Sequence, residues 1–124
     1  MRSSLAALAC LLLFAVPALG QDATLVDSDH YTVEFENDQV RVLRIKYGPH
    51  EKSVMHEHPG AVAVFLTAGQ IRMWSKDGAS QDMTIASGQV SWNDAVSHLP
   101  ENRGDAPFEV ILIELKSSSE EGCM

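Results

Sequence analysis

Short segments in which apolar and polar residues alternate dominate the chain from about residue 30 onward. Residues 31–35 alternate in this way, and residues 40–47 do so with one doubled apolar step. Strand side chains point alternately to the two faces of a sheet, so the pattern predicts strands that bury one face. The polar residues 36–39 are typical of a turn, and the two strands are therefore predicted to form a hairpin.

Further apolar or alternating segments, separated by turn residues, also predict strands: residues 54–58, 61–67, 71–74, 83–85, 90–92 and 108–115. The segment 61–67 is apolar almost throughout, which predicts a strand buried on both faces. No stretch shows helical periodicity over ten or more residues. The chain from residue 30 to residue 116 is therefore predicted to be one all-β domain, a sandwich or a barrel.

The first 20 residues follow a different pattern. Arg2 precedes an apolar run at residues 5–16, and small residues at 17–20 follow that run. This order is typical of a secretory signal peptide, and the run is shorter than the ~20 residues that span a bilayer. Residues 1–20 are predicted to be a signal peptide, with a buried helix or a retained anchor as the alternative. The mature protein is expected in the periplasm or outside the cell, with no membrane segment.

Charge and cysteine content narrow the range of partners. The chain has 17 acidic and nine basic residues, a net charge of −8 with neutral histidines. Such a chain should be repelled by nucleic acid and by anionic membrane surfaces, so neither is an expected partner. Cys10 lies in the predicted signal peptide and Cys123 in a polar tail, residues 117–124, that is predicted to be disordered. The mature chain therefore has no pair of cysteines for an internal disulfide.

Two histidines lie one residue apart at the end of a predicted strand. His56 and His58 should point to the same face, while Glu57 points to the other. Two imidazoles on one face are well placed to chelate a transition metal. Taken alone, a pair with this spacing is a weak signal.

The surroundings of these histidines resemble the conserved motifs of the cupin superfamily. Gly48–Gly69 is similar to the first motif, Gly-x5-His-x-His-x3,4-Glu-x6-Gly, and Gly88–Asn102 to the second, Gly-x5-Pro-x-Gly-x2-His-x3-Asn. The distance from Gly88 to His98 is one residue shorter than usual. The resemblance covers about residues 30–116. More narrowly, the chain is similar to a group of small bacterial cupins with no settled activity. It implies a double-stranded β-helix, or jelly-roll, barrel and one metal ion held by His56, His58 and His98.

The chain departs from these motifs at important positions. With the shorter spacer the glutamate ligand of the first motif falls at Val62, and the neighbouring Ala63 cannot replace it. In the second motif, Asn93 and Ala95 take the places of the proline and glycine. The metal would then have three neutral imidazoles and no carboxylate, which favours an anionic ligand such as an enolate, thiolate or carboxylate. Val62 is expected to fill the barrel with Val64 and Leu66 and to make the pocket near the metal apolar.

The resemblance implies a metal-dependent oxygenase or a related lyase that acts on a small anionic molecule, because some cupins that oxidise thiols or β-diketones use three histidines. The cofactor would be one divalent transition metal: iron, copper, zinc, manganese or nickel. A non-catalytic module that binds a small ligand or metal is the alternative, and a barrel that mainly self-associates is a third. No inward-facing carboxylate near the motifs stands out as an acid–base catalyst.

The remaining candidate residues have simpler interpretations. His30 and His50 are interpreted as surface histidines, and Arg72 as an exposed strand arginine. Glu57 and Glu101 are interpreted as solvated groups or as supports around the metal. A homodimer is expected because a barrel of this size has open sheet edges to cover, and residues 108–115 or the first hairpin would supply the contact.

Overall fold

The computed structural model describes residues 21–117, so the predictions for the signal peptide and for most of the polar tail, with their two cysteines, lie outside the described residues. The described part forms nine strands and one short helix, α1 (Ala23–Val26). The strands are β1 (Tyr31–Glu36), β2 (Val40–Tyr47), β3 (His56–His58), β4 (Ala61–Phe65), β5 (Gly69–Trp74), β6 (Ser80–Ile85), β7 (Val90–Asn93), β8 (Val96–Asn102) and β9 (Phe108–Leu115).

The strands form two antiparallel sheets. One has the order β1-β2-β9-β4-β7 and the other the order β3-β8-β5-β6. Some strands that are neighbours in a sheet, such as β2 and β9, are far apart in the sequence. Most successive strands are joined by connections that cross from one sheet to the other, as in a jelly roll. The predicted all-β fold is confirmed. No helix within residues 21–117 is both long enough and apolar enough to cross a membrane.

The strand predictions succeeded where alternation was clear. The first hairpin pairs Tyr31 with Ile45 and contains a bulge between Val33 and Phe35. Strand β8 was not predicted, because its polar residues disguise the strand pattern, and α1 was not predicted, because it is only four residues long. Asp22 caps α1: its carboxylate accepts a hydrogen bond from the Thr24 backbone N–H.

The core lies between the two sheets and consists of inward-facing apolar side chains: Ala23, Tyr31, Leu43, Ile45, Tyr47, Ala61, Ala63, Phe65, Ile71, Ile85, Phe108, Val110 and Leu112. Strand β9 shows how regular the alternation is, since Phe108, Val110 and Leu112 are buried in turn. Glu114 continues this series and is also buried. An acidic residue therefore occupies a core-facing position.

Two expectations about β4 and β9 were wrong. Strand β4 is not buried on both faces: Ala61, Ala63 and Phe65 are buried, whereas Val62 and Val64 are partly exposed. Val62 therefore faces away from the barrel interior. Strand β9 is paired on both sides, by β2 and β4, and has no free edge for a second subunit. The first hairpin does have one, because β1 lies at the edge of its sheet.

Candidate metal centre

The structure brings His56, His58 and His98 together between the two sheets. His56 and His98 are direct partners in the antiparallel pair of β3 and β8, so their side chains lie on the same face. His58 is two residues further along β3 and shares that face. Each histidine offers a ring nitrogen within 4.8 Å of the other two, which is the arrangement that the sequence predicted.

The hydrogen bonds of two of these histidines determine which nitrogen each directs at the cluster. His56 Nδ1 donates to the backbone carbonyl of Val54 at 2.8 Å. His58 Nδ1 donates to Glu114 Oε2 at 2.6 Å. A neutral imidazole that donates through one nitrogen has a lone pair on the other. The Nε2 atoms of His56 and His58 therefore carry the lone pairs that a metal could use.

The third histidine carries an unpaired nitrogen. Among the described residues, His98 Nε2 is the one buried side-chain nitrogen or oxygen with no hydrogen-bond partner. An unsatisfied buried polar atom is costly and rare. Its position beside two further imidazole lone pairs fits a metal ion, because three imidazoles form an ordinary ligand set for a divalent transition metal.

Burial keeps the rings of His56 and His98 neutral. Burial, together with the nearby His58, lowers the pKa of His56 to about 4. Burial, together with the nearby His58 and His56, lowers the pKa of His98 to about 3. A metal competes with protons for imidazole lone pairs. At neutral pH a metal therefore need not displace a proton from a charged His56 or His98 ring.

A buried ion-pair network supports His58 from behind. Glu114, only 2% exposed, accepts the His58 hydrogen bond and also accepts one from Arg41 Nε at 2.7 Å. Arg41 in turn contacts Asp22 at 2.8 Å. Burial alone would raise the pKa of Glu114, but the hydrogen bonds from His58 and Arg41 outweigh it and lower the pKa. The carboxylate is therefore ionised.

Glu114 was not among the predicted site residues, although the sequence carries a signal for it. This residue falls in register with the inward apolar positions of the longest strand, where a carboxylate is unusual. Strand β9 pairs with β4 so that Glu114 lies opposite Ala61, close to the motif position that usually holds a glutamate ligand. A carboxylate is thus present beside the three histidines, but it is hydrogen-bonded to His58 and is not one of the candidate metal ligands.

A second set of contacts supports His56. Tyr31 donates its hydroxyl hydrogen to His56 Nε2 at 3.1 Å and is itself hydrogen-bonded to Tyr47. On the opposite side of the ring, Ser53 Oγ lies 3.2 Å from His56 Nδ1 and donates to Asp27 at 2.5 Å. The support therefore extends from the ring to residues next to α1.

His30 completes this second set and is not a surface histidine. Its side chain is 13% exposed and stacks on Tyr47 with ring centroids 4.6 Å apart. His30 Nδ1 lies 2.8 Å from Asp27, and its Nε2 lies 2.6 Å from Glu51. Burial tends to lower the pKa of His30, but the hydrogen bonds to Glu51 and Asp27 outweigh this and raise it.

The other candidate residues lie away from the cluster. His50 is exposed beside Asp105, as expected for a surface histidine. Arg72 forms an ion pair with Asp82 at the outer surface. Glu57 points away from His56 and His58, as predicted.

The remaining motif positions have structural roles. Glu101 binds Trp74 Nε1 at 3.1 Å. Asn102 is buried and joins two loops, because its amide donates to the carbonyls of Gly48 and Ala106. Gly69 has no room for a side chain, because a Cβ atom would lie 2.5 Å from the ring of Phe108.

A cavity of about 390 Å³ extends from the histidines through the barrel interior. Its walls are mostly apolar, as the sequence predicted, but they are not built by Val62. The inward-facing residues of β4, Ala63 and Phe65, line it instead. Because Ala63 is so small, the glutamate position of the first motif contributes open space rather than an apolar wall. Ala63, at the longer spacing from His58, is therefore the inward-facing candidate for the glutamate position, whereas Gly69 fits the motif only with the shorter spacing.

The sheets, their connections and the histidine pair on β3 define a protein with the cupin fold, and comparison with known proteins agrees. A cupin-domain protein from Bordetella pertussis Tohama I aligns at a TM-score of 0.65 and 26% identity, covering 70% of this chain and 92% of that one. A cupin 2 conserved barrel protein from Salinispora arenicola aligns at a TM-score of 0.56 and 18% identity, covering 74% and 80%. A cupin superfamily protein from Desulfitobacterium hafniense aligns at a TM-score of 0.53 and 16% identity, covering 70% and 76%.

These similarities concern the fold. No family model matches the sequence, and no curated protein matches it. These three proteins are named for their fold and not for a reaction. The function must therefore be argued from the site itself.

Proposed function

We propose that this protein is an exported cupin that holds one divalent transition metal through His56, His58 and His98. The observation that carries the proposal is the buried, unpaired Nε2 of His98 beside the ring nitrogens of two further buried histidines. Such an arrangement costs stability unless something occupies it. A metal ion would satisfy all three nitrogens at once.

We propose further that the bound metal serves an oxygenase or a related lyase acting on a small anionic molecule. When bound, the metal supplies Lewis acidity and, if it is iron or copper, redox chemistry. The protein supplies a mostly apolar cavity for the ligand. The Tyr31 hydroxyl lies beside the cluster, and it could donate a hydrogen bond to an anionic ligand atom once a metal takes the His56 Nε2 lone pair that accepts from it here.

A non-catalytic module that binds a metal or a small ligand is the second candidate. One observation favours it: Glu114, a buried carboxylate in direct contact with the cluster, is already engaged by His58 and Arg41. It is not free to act as a general base. Zinc at the site would favour this candidate, because zinc has no redox chemistry.

Metal analysis of untagged protein purified from its native compartment tests the proposal. We expect about one transition-metal ion per chain in the wild type and loss of that ion in His98→Ala. His50→Ala is the matched control, because it removes an exposed histidine outside the cluster. A wild-type protein that binds no transition metal under these conditions would contradict the proposal.

Oxygen consumption with a panel of thiols and β-diketones then separates the two candidates. Turnover that depends on iron or copper and disappears in His98→Ala would support the oxygenase. Stoichiometric metal without oxygen consumption would favour the binding module. Fractionation of the native host tests export, since the predicted signal peptide places the mature chain in the periplasm or outside the cell.

A further inference from the structure

The walls of the cavity beside the histidines are mostly apolar. Apolar side chains from both sheets line it, among them Phe65, Ile71, Met73, Met83, Ile85 and Val110. Apolar walls favour a ligand body that loses little hydration when it is buried.

The walls of the cavity also carry little charge. Among the described residues that line it, apart from the histidines, Asp94 is the one ionisable residue that is charged at neutral pH, and it is acidic. Arg41 is held by Glu114 and Asp22, and Arg72 by Asp82, outside the cavity. Hence the cavity walls offer no positive side chain to a ligand anion.

The polar groups next to the histidines can serve one ligand atom. The Tyr31 hydroxyl lies 3.1 Å from His56 Nε2 and is hydrogen-bonded to the Tyr47 hydroxyl. A phenol donates one hydrogen bond, and a metal ion on His56 Nε2 would take the lone pair that accepts from Tyr31. The Tyr31 hydroxyl would then be available to a ligand atom, with Tyr47 donating to Tyr31 behind it. A donor atom that binds at the cluster would be stabilised there, whereas an anionic group elsewhere in the cavity would not.

We propose that the site selects monoanions: molecules that present one anionic donor atom or chelating group to the metal and bury an otherwise uncharged, apolar body. This inference rests on the proposed function and narrows its ligand class. A second negative charge on the ligand would lie among apolar side chains and Asp94, without a counter-ion. Burying an unpaired charge in such surroundings is costly. Dicarboxylates and other dianions are therefore poor ligands.

Three probes that share one chelating group and one aromatic ring test the proposal on cobalt(II)-loaded protein. The parent is 1-phenylbutane-1,3-dione, which binds a metal as its enolate, and two derivatives carry a carboxamide or a carboxylate at the para position of the ring. The two derivatives differ in charge but hardly in size. We expect the carboxylate to bind at least about tenfold more weakly than the carboxamide, measured from the visible absorption of cobalt.

A cavity variant checks that the discrimination arises inside the barrel. Met83 lines the cavity and is partly exposed, so Met83→Lys would add a positive charge there, with Met83→Leu as the neutral control. Met83→Lys should narrow the difference between the two derivatives, and Met83→Leu should preserve it. An unchanged difference in Met83→Lys would place the discrimination elsewhere and overturn the proposal.

The outcomes on wild-type protein are decisive in the same way. Equal or tighter binding of the carboxylate, or no binding of any probe to a stoichiometrically loaded protein, would overturn this inference and leave the proposed metal site intact. Cobalt content is measured before a probe is added. Protein that takes up no cobalt would overturn the proposed function itself, and the ligand class with it.

Discussion

Glu114 is the residue that most changes the view of the site obtained from the motifs. Three histidines without a carboxylate suggested a metal that keeps its full charge. The structure shows a buried carboxylate that accepts a hydrogen bond from His58 and is itself held by Arg41. Such partners fix the orientation and the tautomer of a metal-binding histidine and make it a stronger ligand.

Replacing Glu114 by glutamine should weaken metal binding. The variant keeps the shape of the side chain but loses the negative charge that supports His58 and pairs with Arg41. We expect an increase of about 10–100-fold in the dissociation constant for zinc or cobalt, measured by competition with a chromophoric chelator. The control is Glu57→Gln. Glu57 lies on the same strand as His58, but its side chain points away from the site. Equal affinities in the two variants would show that Glu114 does not support the metal.

The position of the missing glutamate ligand is open to a direct test. Ala63 faces the cavity, whereas Val62 is partly exposed on the other face of β4. Ala63→Glu should add a carboxylate to the ligand set and tighten metal binding by about tenfold or more. Val62→Glu is the matched variant one residue away, and it should leave the affinity nearly unchanged. Tighter binding in Val62→Glu alone would show that the shorter motif spacing applies.

At the scale of elements, the segment that contains α1 supports the site at two points. Asp22, its N-cap, contacts Arg41 and thereby the Glu114–His58 pair. Asp27, just after the helix, accepts a hydrogen bond from Ser53, which lies against His56. A helix of four residues has little stability of its own. Its polar ends are what attach it to strand β3 and to the barrel.

Asp27→Asn should destabilise the fold by about 1–2 kcal/mol, because it weakens the hydrogen bonds to His30 and Ser53. Asp29→Asn is the control, since Asp29 is exposed in the same turn. The free energy of unfolding from urea denaturation measures both effects.

The destabilisation should also depend on pH. The pKa of His30 is raised in the folded state, so its charged hydrogen bonds stabilise fully below the ordinary histidine pKa and are lost as the pH rises through the raised value. The Asp27→Asn effect should therefore be larger at pH 6 than at pH 9. A pH-independent difference would show that His30 contributes no charge to this contact.

For the whole molecule, metal binding and stability are coupled. An ion that binds only the folded state stabilises it by about 2.7 kcal/mol when the free ion concentration is a hundred times the dissociation constant. For a domain of this size that corresponds to a rise in Tm of about 10–20 °C. Thermal unfolding with zinc and with a chelator measures the shift, and His98→Ala should show almost none. A similar shift in His98→Ala would locate the stabilising ion elsewhere.

Association through the first hairpin is the second property of the whole molecule that we predict. Val33 and Phe35 on the edge strand β1 are 41% and 55% exposed, and covering them would favour a homodimer. Phe35→Asp should convert the dimer to a monomer in gel filtration at micromolar concentration. Val90→Asp, on the opposite edge strand β7, is the control and should remain dimeric. A monomeric wild type would contradict the prediction.

Local sequence determined most of the strands and the histidine pair. Alternation and turn residues depend only on neighbours along the chain, so they placed β1, β2 and β9 within a residue and put His56 and His58 on one face. The resemblance to the cupin motifs added His98 and the fold, and the structure brings the three rings together.

Only the tertiary structure decided what surrounds those rings. The inward position of Ala63 rather than Val62 depends on how β4 is oriented in its sheet. The approach of Glu114 to His58 depends on contact between strands that are more than 50 residues apart in the chain. Sequence patterns report the alternation within a strand, but not which face turns inward or which distant residue lies opposite. Those features arise when the two sheets pack, because packing selects the face that is buried.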